Sequence, residues 1–259
     1  MTLPSSDPFQ ISGQTALVTG ASSGFGAHFA RVLAAEGCKV VIAARRKERL
    51  DALAAEINEA GGQALAVEMD VTSPQSVAEA FASAEAALGV PTIVVNNAGV
   101  AKPANFESLT EEDWSFVMDT NFKGVRLVAK EAIAHMTRTG VGGSIVNIAS
   151  MLGLGAQPQQ AAYTASKGAV IQLTRTLALE CFRKDIRVNA ICPGYICTEM
   201  NEEFFSSDQG RAYIARTPAR RLGELDELTL PLLMLASPRS GFTTGTALPV
   251  DGGHSVRLI

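Results

Sequence analysis

Residues 15–26 of the chain read TALVTGASSGFG, and this stretch decides the fold. Its first five residues are apolar or β-branched, which predicts a short buried strand. The strand runs through a glycine-rich turn into Gly24–Glu36, whose apolar residues recur with helical period. Strand, glycine turn and helix in direct succession open a βαβ unit. In such a turn Gly20 permits the sharp bend, Gly24 lets the backbone approach a pyrophosphate, and Gly26 lets the helix pack against the strand.

The same alternation of strand-like and helix-like segments continues along the whole chain. The strand-like runs are short and apolar on both faces, as in a parallel sheet that helices cover on each side. Right-handed crossovers then predict an α/β fold, a Rossmann-type doubly wound parallel β-sheet flanked by helices. The predicted strands are Thr15–Thr19, Lys39–Ala43, Ala64–Glu68, Ile93–Val95, Ile145–Ile148 and Arg187–Ile191.

The 259 residues contain no internal repeat, no low-complexity linker and no shift in composition. We therefore expect a single domain over residues 13–259, preceded by a short, poorly ordered arm at residues 1–12. The least regular stretch is residues 195–222, which contains Phe204, Phe205 and four arginines. A long segment of this kind in a compact domain is typical of a lid, so residues 195–222 are the predicted substrate lid.

Composition and charge exclude several classes of function. The net charge of -4 argues against nucleic acid or an anionic membrane as a partner. No stretch has the ~20 apolar residues that a membrane-spanning helix needs. Residues 1–10 have neither the basic flank nor the apolar core of a secretory signal. The composition of the chain indicates the cytoplasm. The three histidines and four cysteines lack the spacing of metal ligands, and no metal site is predicted.

The glycine-rich turn is predicted to hold the pyrophosphate of a dinucleotide, because the N–H groups at the start of the next helix point at an anion placed there. A glycine triplet alone is a weak signal, and the spacing here is Gly-x3-Gly-x-Gly. Its position between a buried strand and a helix strengthens the prediction; the alternative is a turn without a ligand. The predicted contacts are Gly20, Ser22, Ser23, Gly24, Phe25 and Gly26.

The end of the second strand predicts which dinucleotide is bound. An NAD site carries Asp or Glu there to hold the ribose 2′-hydroxyl. This chain instead has Arg45, Arg46 and Lys47 at a helix start, where the helix dipole disfavours cations. The sequence therefore predicts NADP(H) in preference to NAD(H), with Arg45 as the main contact of the 2′-phosphate and Arg46 as the second. The alternative is a solvated face whose charge Glu48 partly offsets.

A tyrosine and a lysine stand four residues apart in Tyr163-Thr-Ala-Ser-Lys167. On a helix, residues i and i+4 are neighbours, so the ammonium is expected to lower the pKa of the Tyr163 phenol toward neutrality. A phenol tuned in this way is a general acid/base. Ser150 follows a strand-like run and is expected at the carboxyl end of the sheet, where it can hold a substrate oxygen. The alternatives are an ordinary amphipathic pair and a turn serine.

Taken together and in this order, a set of motifs from about Gly13 to Gly253 resembles the short-chain dehydrogenase/reductase family. The resemblance implies hydride transfer between a nicotinamide and a carbonyl or secondary alcohol, without a metal. It further implies that Tyr163 is the acid/base, Ser150 orients the substrate, Lys167 binds the nicotinamide ribose and Asn121 keeps a water in a proton relay. The motifs are Thr19–Gly26, Asn96-Asn97-Ala98-Gly99, Asn121, Ser150, Tyr163-x3-Lys167 and Pro193-Gly194.

The same resemblance implies further contacts with the cofactor. Asp70 would hold the adenine edge, and Ile196 and Thr198 would bind the carboxamide. The full set of these contacts is Asp70, Val71, Asn97, Ala98, Gly99, Tyr163, Lys167, Pro193, Gly194, Ile196 and Thr198.

Apolar residues after Ser150 and in the lid favour an apolar ketone or alcohol, as for a carbonyl reductase or alcohol dehydrogenase. One alternative is a 3-oxoacyl-thioester (acyl-carrier-protein) reductase, although such enzymes tend to carry Arg where this chain has Leu179. The other is a catalytically silent dinucleotide-binding sensor or scaffold. The predicted substrate contacts are Ser150, Met151, Leu152, Tyr195, Met200, Phe204 and Phe205.

The Tyr163 helix is rich in small residues, which permit close approach of another helix. In the family this helix and Glu111–His135 form a subunit interface, which implies a homodimer or a homotetramer. Two backbone departures are expected: Asp185 stands where many relatives end a turn in Gly, and Pro231 should kink or restart the late helix Asp226–Ala236.

Overall fold

The structure, a computed structural model, describes residues 7–198 and 202–256. The strands in these residues form one sheet, in which every neighbouring pair of strands is parallel. Parallel strands that are apolar on both faces need helices on each side, and helices alternate with the strands along the chain. The strands are β1 (Thr15–Thr19), β2 (Lys39–Ala44), β3 (Gln63–Glu68), β4 (Pro91–Asn96), β5 (Gly143–Ile148), β6 (Ile186–Pro193) and β7 (Ala247–Val250).

The helices fill the connections between these strands. A single turn of π-helix, Asp119–Lys123, joins the fourth helix to the fifth. The helices are α1 (Gly24–Ala35), α2 (Lys47–Glu59), α3 (Pro74–Leu88), α4 (Glu111–Met118), α5 (Gly124–Thr139), α6 (Ala161–Cys181), α7 (Glu202–Ser206), α8 (Asp208–Ile214) and α9 (Thr229–Ala236).

The strand order in the sheet is β3-β2-β1-β4-β5-β6-β7. From β1 the chain moves outward to β2 and β3, and then returns to place β4 on the other side of β1. The direction of winding therefore reverses between β1 and β4, and doubly wound sheets bind ligands at the carboxyl ends of the strands at such a reversal. The predicted α/β fold in a single domain is confirmed. Six strands were predicted from the sequence, and β7 was missed because its four residues give only a weak strand pattern.

Alternate residues of β1 face opposite sides of the sheet and enter different cores. Ala16 and Val18 pack in one core with Phe29 of α1. Leu17 packs in the other core with Phe81 of α3. Both layers exclude water, which explains why the three central residues of the strand, Ala16 to Val18, are all apolar rather than alternating with polar ones.

The two segments expected to be irregular are more ordered than the sequence suggests. Residues 7–12 of the predicted arm contact the domain, since Ile11 is fully buried and the Phe9 carbonyl accepts a hydrogen bond from Ser237. The predicted lid, residues 195–222, contains α7 and α8, and part of it, residues 199–201, lies outside the described residues.

Both expected backbone departures are confirmed. Asp185 has a left-handed backbone with φ of 56° and ends the turn that follows α6. The late helix restarts at Thr229 after a short 3-10 turn, which puts Pro231 in the first turn of α9, where its missing N–H costs nothing. Within the described residues, no helix combines the length and the apolar character that crossing a bilayer requires.

The two-core packing predicts a large difference between two phenylalanines. Phe81 is fully buried, whereas Phe242 is 97% exposed. Phe81→Ala should lower the free energy of unfolding by about 3–5 kcal/mol because it leaves a cavity. The matched change Phe242→Ala should alter it by less than about 0.5 kcal/mol. Urea unfolding followed by circular dichroism measures both, and equal losses would contradict this placement.

Candidate active site

Four loops meet at the carboxyl edge of the sheet, because the strands before them are parallel and adjacent. The loops follow β1, β4, β5 and β6. They carry the predicted site residues Gly20, Asn97, Ser150 and Gly194, in that order. Residues that are far apart in the sequence therefore lie along one cleft.

The glycine-rich turn after β1 leaves room for an anion at the start of α1. A Cβ built on Gly26 would lie 2.4 Å from the carbonyl oxygen of Gly20, so the helix approaches the turn only because residue 26 has no side chain. Gly24 has a φ of +53°, and a Cβ there would meet nothing within 4 Å. The first turn of α1 has no acidic residue, and Ser23 makes no side-chain cap. Its N–H groups are thus suited to a phosphate.

Arg46, rather than Arg45, reaches this turn. Its guanidinium donates hydrogen bonds to Ser22 Oγ at 2.8 Å and to Ser23 Oγ at 2.9 Å. Arg45 is exposed, and Lys47 forms an ion pair with a carboxylate one turn further along α2. Arg46 is therefore held at the glycine-rich turn. The ranking of Arg45 over Arg46 as the contact of a 2′-phosphate stays a prediction.

Thr19 holds the loop after β4 against the glycine-rich turn. Its hydroxyl accepts the backbone N–H groups of Asn97 and Ala98, each at 3.0 Å. The next residue, Gly99, is exposed, and a Cβ on it would lie 3.5 Å from Nζ of Lys167. The absence of a side chain at Gly99 keeps the cleft open beside the lysine.

Asp70 and Val71 follow β3 at the same edge of the sheet. The Asp70 carboxylate accepts hydrogen bonds from the backbone and the hydroxyl of Thr72, at 2.9 and 2.8 Å. Val71 is buried, and a Cβ on Gly124 would lie 2.7 Å from its Cγ2 atom. These contacts fix the loop that was predicted to border the adenine.

Ser150, Tyr163 and Lys167 come together at this edge. The buried Ser150 hydroxyl accepts the N–H of Leu152 at 3.1 Å. It also interacts with the Tyr163 phenol and lowers the pKa of that phenol. Lys167 lies one turn after Tyr163 on the same side of α6, with Nζ 5.6 Å from the centre of the tyrosine ring. This Nζ also donates a hydrogen bond of 2.7 Å to the Ile148 carbonyl.

Burial controls the pKa of both ionisable groups. It raises the pKa of Tyr163 by more than the interaction with Ser150 lowers it. It also lowers the pKa of Lys167 from its ordinary 10.5 to about 8. Among the protein groups alone, the lost solvation of the phenolate outweighs the neighbouring side chains. The expected lowering of the Tyr163 pKa, in which the charge of an oxidised nicotinamide adds to that of Lys167, stays a prediction. The Tyr163 phenol keeps its proton at neutral pH.

Asn121 is fully buried in the π turn Asp119–Lys123. Its side chain exchanges two hydrogen bonds with the backbone of Val100, at 2.8 and 2.9 Å, and donates a third to Ser166 Oγ at 3.1 Å. Ser166 in turn donates to the Tyr163 carbonyl at 2.7 Å. One extra residue in the helical turn, a feature that is frequent at functional sites, makes this reach possible. No motif in the sequence predicts this turn.

The segment after β6 passes close to the C-terminal loop. Pro193 is the last residue of β6, and a Cβ on Gly194 would lie 2.7 Å from Asp251 Cα. Ile196 is buried and bridges to the backbone of residue 223. Thr198, which is partly buried, is the last described residue before the gap.

Tyr195 is the centre of an aromatic cluster that the sequence did not predict. Its ring centre lies 5.2 Å from that of Phe205, 5.3 Å from Tyr213 and 5.9 Å from His254. The Tyr195 hydroxyl donates a 2.6 Å hydrogen bond to Gln157 Oε1, in the loop before α6. Gln157, Tyr213 and His254 lie outside every motif, and only their three-dimensional placement links them to the cleft.

The other predicted substrate contacts divide into three groups. Met151 and Leu152 follow Ser150, and the first is buried while the second is partly exposed. Phe205 is buried in the aromatic cluster, whereas Phe204 is 47% exposed. Met200 lies outside the described residues. Over residues 7–198 and 202–256, no group of three or more histidines, cysteines or carboxylates could hold a metal.

Comparison with known proteins places the chain in a family. A family model described as enoyl-(acyl carrier protein) reductase, one of the short-chain dehydrogenase/reductase models, matches residues 20–255. The chain belongs to the short-chain dehydrogenase/reductase family. It is accordingly a dehydrogenase/reductase that acts on CH–OH and C=O groups.

Individual relatives resemble the chain over nearly its whole length. Gluconate 5-dehydrogenase of Gluconobacter oxydans is 38% identical over 253 residues, which cover 97% of this chain and 98% of the relative. The 3-oxoacyl-(acyl-carrier-protein) reductase of Thermotoga maritima is 35% identical, with 94% and 98% covered. The crystal structure of a gluconate 5-dehydrogenase from Burkholderia cenocepacia, in complex with NADP and tartrate, has a TM-score of 0.93 at 36% identity, with 97% and 99% covered.

The buried ammonium predicts that Lys167 destabilises the fold at neutral pH. The pKa of Lys167 is about 8 in the folded protein and 10.5 in the unfolded chain. Above pH 10.5 the lysine is neutral in both states, and the free energy of unfolding is greatest. As the pH falls from 10.5 toward 8, only the unfolded chain gains the proton, so the free energy of unfolding decreases. Lys167→Met should raise the free energy of unfolding at pH 7 by about 1–3 kcal/mol, and by less at pH 9.5. Thermal unfolding of both proteins at both pH values measures this, with the exposed Lys130→Met as the control. A variant that is less stable than wild type at pH 7 would contradict the account.

Proposed function

We propose that this protein is an NADP(H)-dependent oxidoreductase that transfers a hydride between the nicotinamide and a carbonyl or secondary alcohol. One observation carries the proposal: the buried Ser150 hydroxyl interacts with the Tyr163 phenol, and the buried Lys167 ammonium lies 5.6 Å from the centre of the Tyr163 ring. This group lies on the same edge of the sheet as the glycine-rich turn. A protonated phenol at the end of a dinucleotide cleft is suited to donating a proton to a ketone oxygen.

Each side chain has a separate role in the proposed reduction. Ser150 binds the substrate oxygen and orients it toward the phenol. Tyr163 holds its proton at neutral pH because burial raises its pKa, and delivers the proton to that oxygen as negative charge develops on it. A nicotinamide bound in the cleft would supply the hydride to the carbonyl carbon. In the oxidation of an alcohol, the phenolate form of Tyr163 accepts the proton of the hydroxyl group.

Lys167 is placed to bind the cofactor as well as to support Tyr163. One of its N–H groups is committed to the Ile148 carbonyl, and the ammonium lies beside the open backbone of Gly99. The remaining N–H groups are suited to the hydroxyls of a ribose. We propose that Asn121 and the loop after β4 define the opposite wall and keep a water in a proton relay.

The preference for NADP(H) follows from charge at the end of β2. Arg45 and Arg46 follow the strand, and no acidic residue lies between the end of β2 and Glu48. Arg46 is also hydrogen-bonded to the glycine-rich turn. A guanidinium binds a phosphate through charge-assisted hydrogen bonds. The Burkholderia gluconate 5-dehydrogenase, similar over nearly the whole chain, was crystallised with NADP, which supports the proposal.

For the substrate, we propose a small ketone or secondary alcohol with apolar surface next to the reacting carbon. Leu152 and Phe204, which are partly exposed beside the cleft and in the lid, favour such surface. A second candidate is a 3-oxoacyl thioester, which the similarity to the Thermotoga reductase supports. A silent sensor or scaffold is disfavoured because Ser150, Tyr163 and Lys167 are all present and adjacent.

We further propose that the protein acts in the cytoplasm as a homodimer or a homotetramer. Exposed apolar side chains of α4 and α6 support a subunit interface formed by these two helices. They include Phe116, which is 37% exposed, and Leu179, which is 83% exposed. Two such helices from each subunit would bury this surface in a symmetric contact.

Tyr163→Phe tests the proposed chemistry. The variant keeps the ring but has no proton to give, so kcat should fall by at least about 10²-fold. The dissociation constant of NADPH should change less than threefold. Tyr213→Phe removes a hydroxyl from the lid and is the control. Absorbance at 340 nm follows NADPH oxidation by apolar ketones and 3-oxoacyl thioesters, and NADP+ reduction by gluconate. Normal turnover by Tyr163→Phe would sink the mechanism, and activity confined to gluconate would overturn the apolar substrate.

The cofactor preference has a separate test. Arg46→Ala should weaken NADPH binding about 10- to 100-fold, because it removes a charge-assisted contact with the 2′-phosphate. It should weaken NADH binding less than threefold, and Arg45→Ala should have a smaller effect in the same direction. Lys47→Ala is the control, since Lys47 is already paired. Cofactor fluorescence titrations measure the constants, and equal losses for NADPH and NADH would disprove the preference.

A further inference from the structure

Ser166 occupies a central position in the hydrogen bonds around the site, although it contacts neither cleft nor solvent. Its side chain is fully buried. Its hydroxyl donates to the Tyr163 carbonyl at 2.7 Å and accepts from Asn121 Nδ2 at 3.1 Å. One hydroxyl therefore joins the π turn to the helix that carries the acid/base residue.

The hydroxyl bonds a carbonyl inside the critical turn of α6. Tyr163 and Lys167 are separated by one turn, and the Tyr163 carbonyl is the regular acceptor for the Lys167 N–H. Ser166 therefore bonds the peptide that sets the distance between the phenol and the ammonium. A serine that bonds back to the i−3 carbonyl also bends the local helix slightly.

Asn121, the hydrogen-bond partner of Ser166, is also held in place. Both polar atoms of the Asn121 side chain are bonded to the backbone of Val100, so Asn121 has little freedom to move. The Nδ2 atom has two hydrogens, and Ser166 accepts the second. Without Ser166, a buried N–H would have no partner from this helix, which is costly inside a protein.

We infer that Ser166 is a positioning residue, whose hydroxyl holds the Tyr163–Lys167 turn of α6 at a fixed distance from Asn121 and the loop after β4. This inference rests on the proposed function, because it assigns the turn a role in proton transfer. Proton transfer depends steeply on distance, and a displacement of about 1 Å can reduce the rate 100-fold. Ser166 touches no reacting atom, so its effect is exerted through Tyr163 and Asn121.

The same helix contains a matched control. Thr174 is 1% exposed, donates through Oγ1 to the Val170 carbonyl at 2.8 Å, and accepts from Asn147 Nδ2 at 2.8 Å. It therefore repeats the chemistry of Ser166 two turns later, between the same helix and another buried asparagine. A role confined to stability should be the same at both positions.

The experiment compares Ser166→Ala with Thr174→Ala in the full-length protein. Each variant should lose thermal stability because each leaves a buried asparagine amide without one acceptor. Ser166→Ala should also lose about 10- to 100-fold in kcat, with the apparent pKa of the kcat–pH profile moved, whereas KM for NADPH stays within about threefold. Thr174→Ala should keep kcat within about twofold. Ser166→Cys, which keeps the side-chain shape but donates weakly, should fall between wild type and Ser166→Ala.

A double-mutant cycle tests the route of the effect. If Ser166 acts through Asn121, then Ser166→Ala should cost less than about threefold in kcat when Asn121→Ala is already present. Full additivity of the two losses would overturn the link. Equal kcat in Ser166→Ala and Thr174→Ala would reduce Ser166 to a structural residue.

A second readout does not need turnover, so failure of the proposed function can be recognised separately. The chain has three tyrosines, and 13C labelling at their Cζ carbons gives three signals. The Tyr163 signal, identified by its loss in Tyr163→Phe, should move in Ser166→Ala and stay in place in Thr174→Ala. An unmoved signal would overturn the inference even in an active enzyme, whereas a wild-type protein without turnover would overturn the proposed function alone.

Discussion

The buried ammonium of Lys167 is the interaction on which the arrangement of the site depends. It is 4% exposed, bonds the Ile148 carbonyl and, within the described residues, has no carboxylate in ion-pair contact. Burial without a counter-charge lowers its pKa to about 8 and makes it a cost to the fold. A charge kept at such a position is more consistent with a role in binding and chemistry than with stability.

The parallel sheet makes this arrangement possible. Because adjacent strands point in one direction, the loops after β1, β4, β5 and β6 lie at one edge of the sheet. The sheet itself therefore brings the side chains of these loops close together. The loop after β4 is held on two sides: the Thr19 hydroxyl bonds its backbone, and Asn121 joins it to α6.

The sequence predicts what is local and leaves out what depends on burial. Strand and helix positions follow from apolar periodicity, and the adjacency of Tyr163 and Lys167 follows from helical spacing. The direction of the Tyr163 pKa does not, because it depends on how deeply the phenol is packed. The π turn at Asn121 and the bonds of Arg46 to Ser22 also have no sequence signal, since both depend on where separate elements meet.

Ultraviolet difference titration measures the protonation state of Tyr163, on which the proposed proton transfer depends. Ionisation of phenols is followed at 295 nm in the wild type and in Tyr163→Phe, and the difference isolates this one group. We expect a midpoint above that of free tyrosine in the same buffer, since burial opposes the phenolate. A midpoint near neutrality would contradict this expectation and would restore the ammonium as the group that sets the acidity of the phenol.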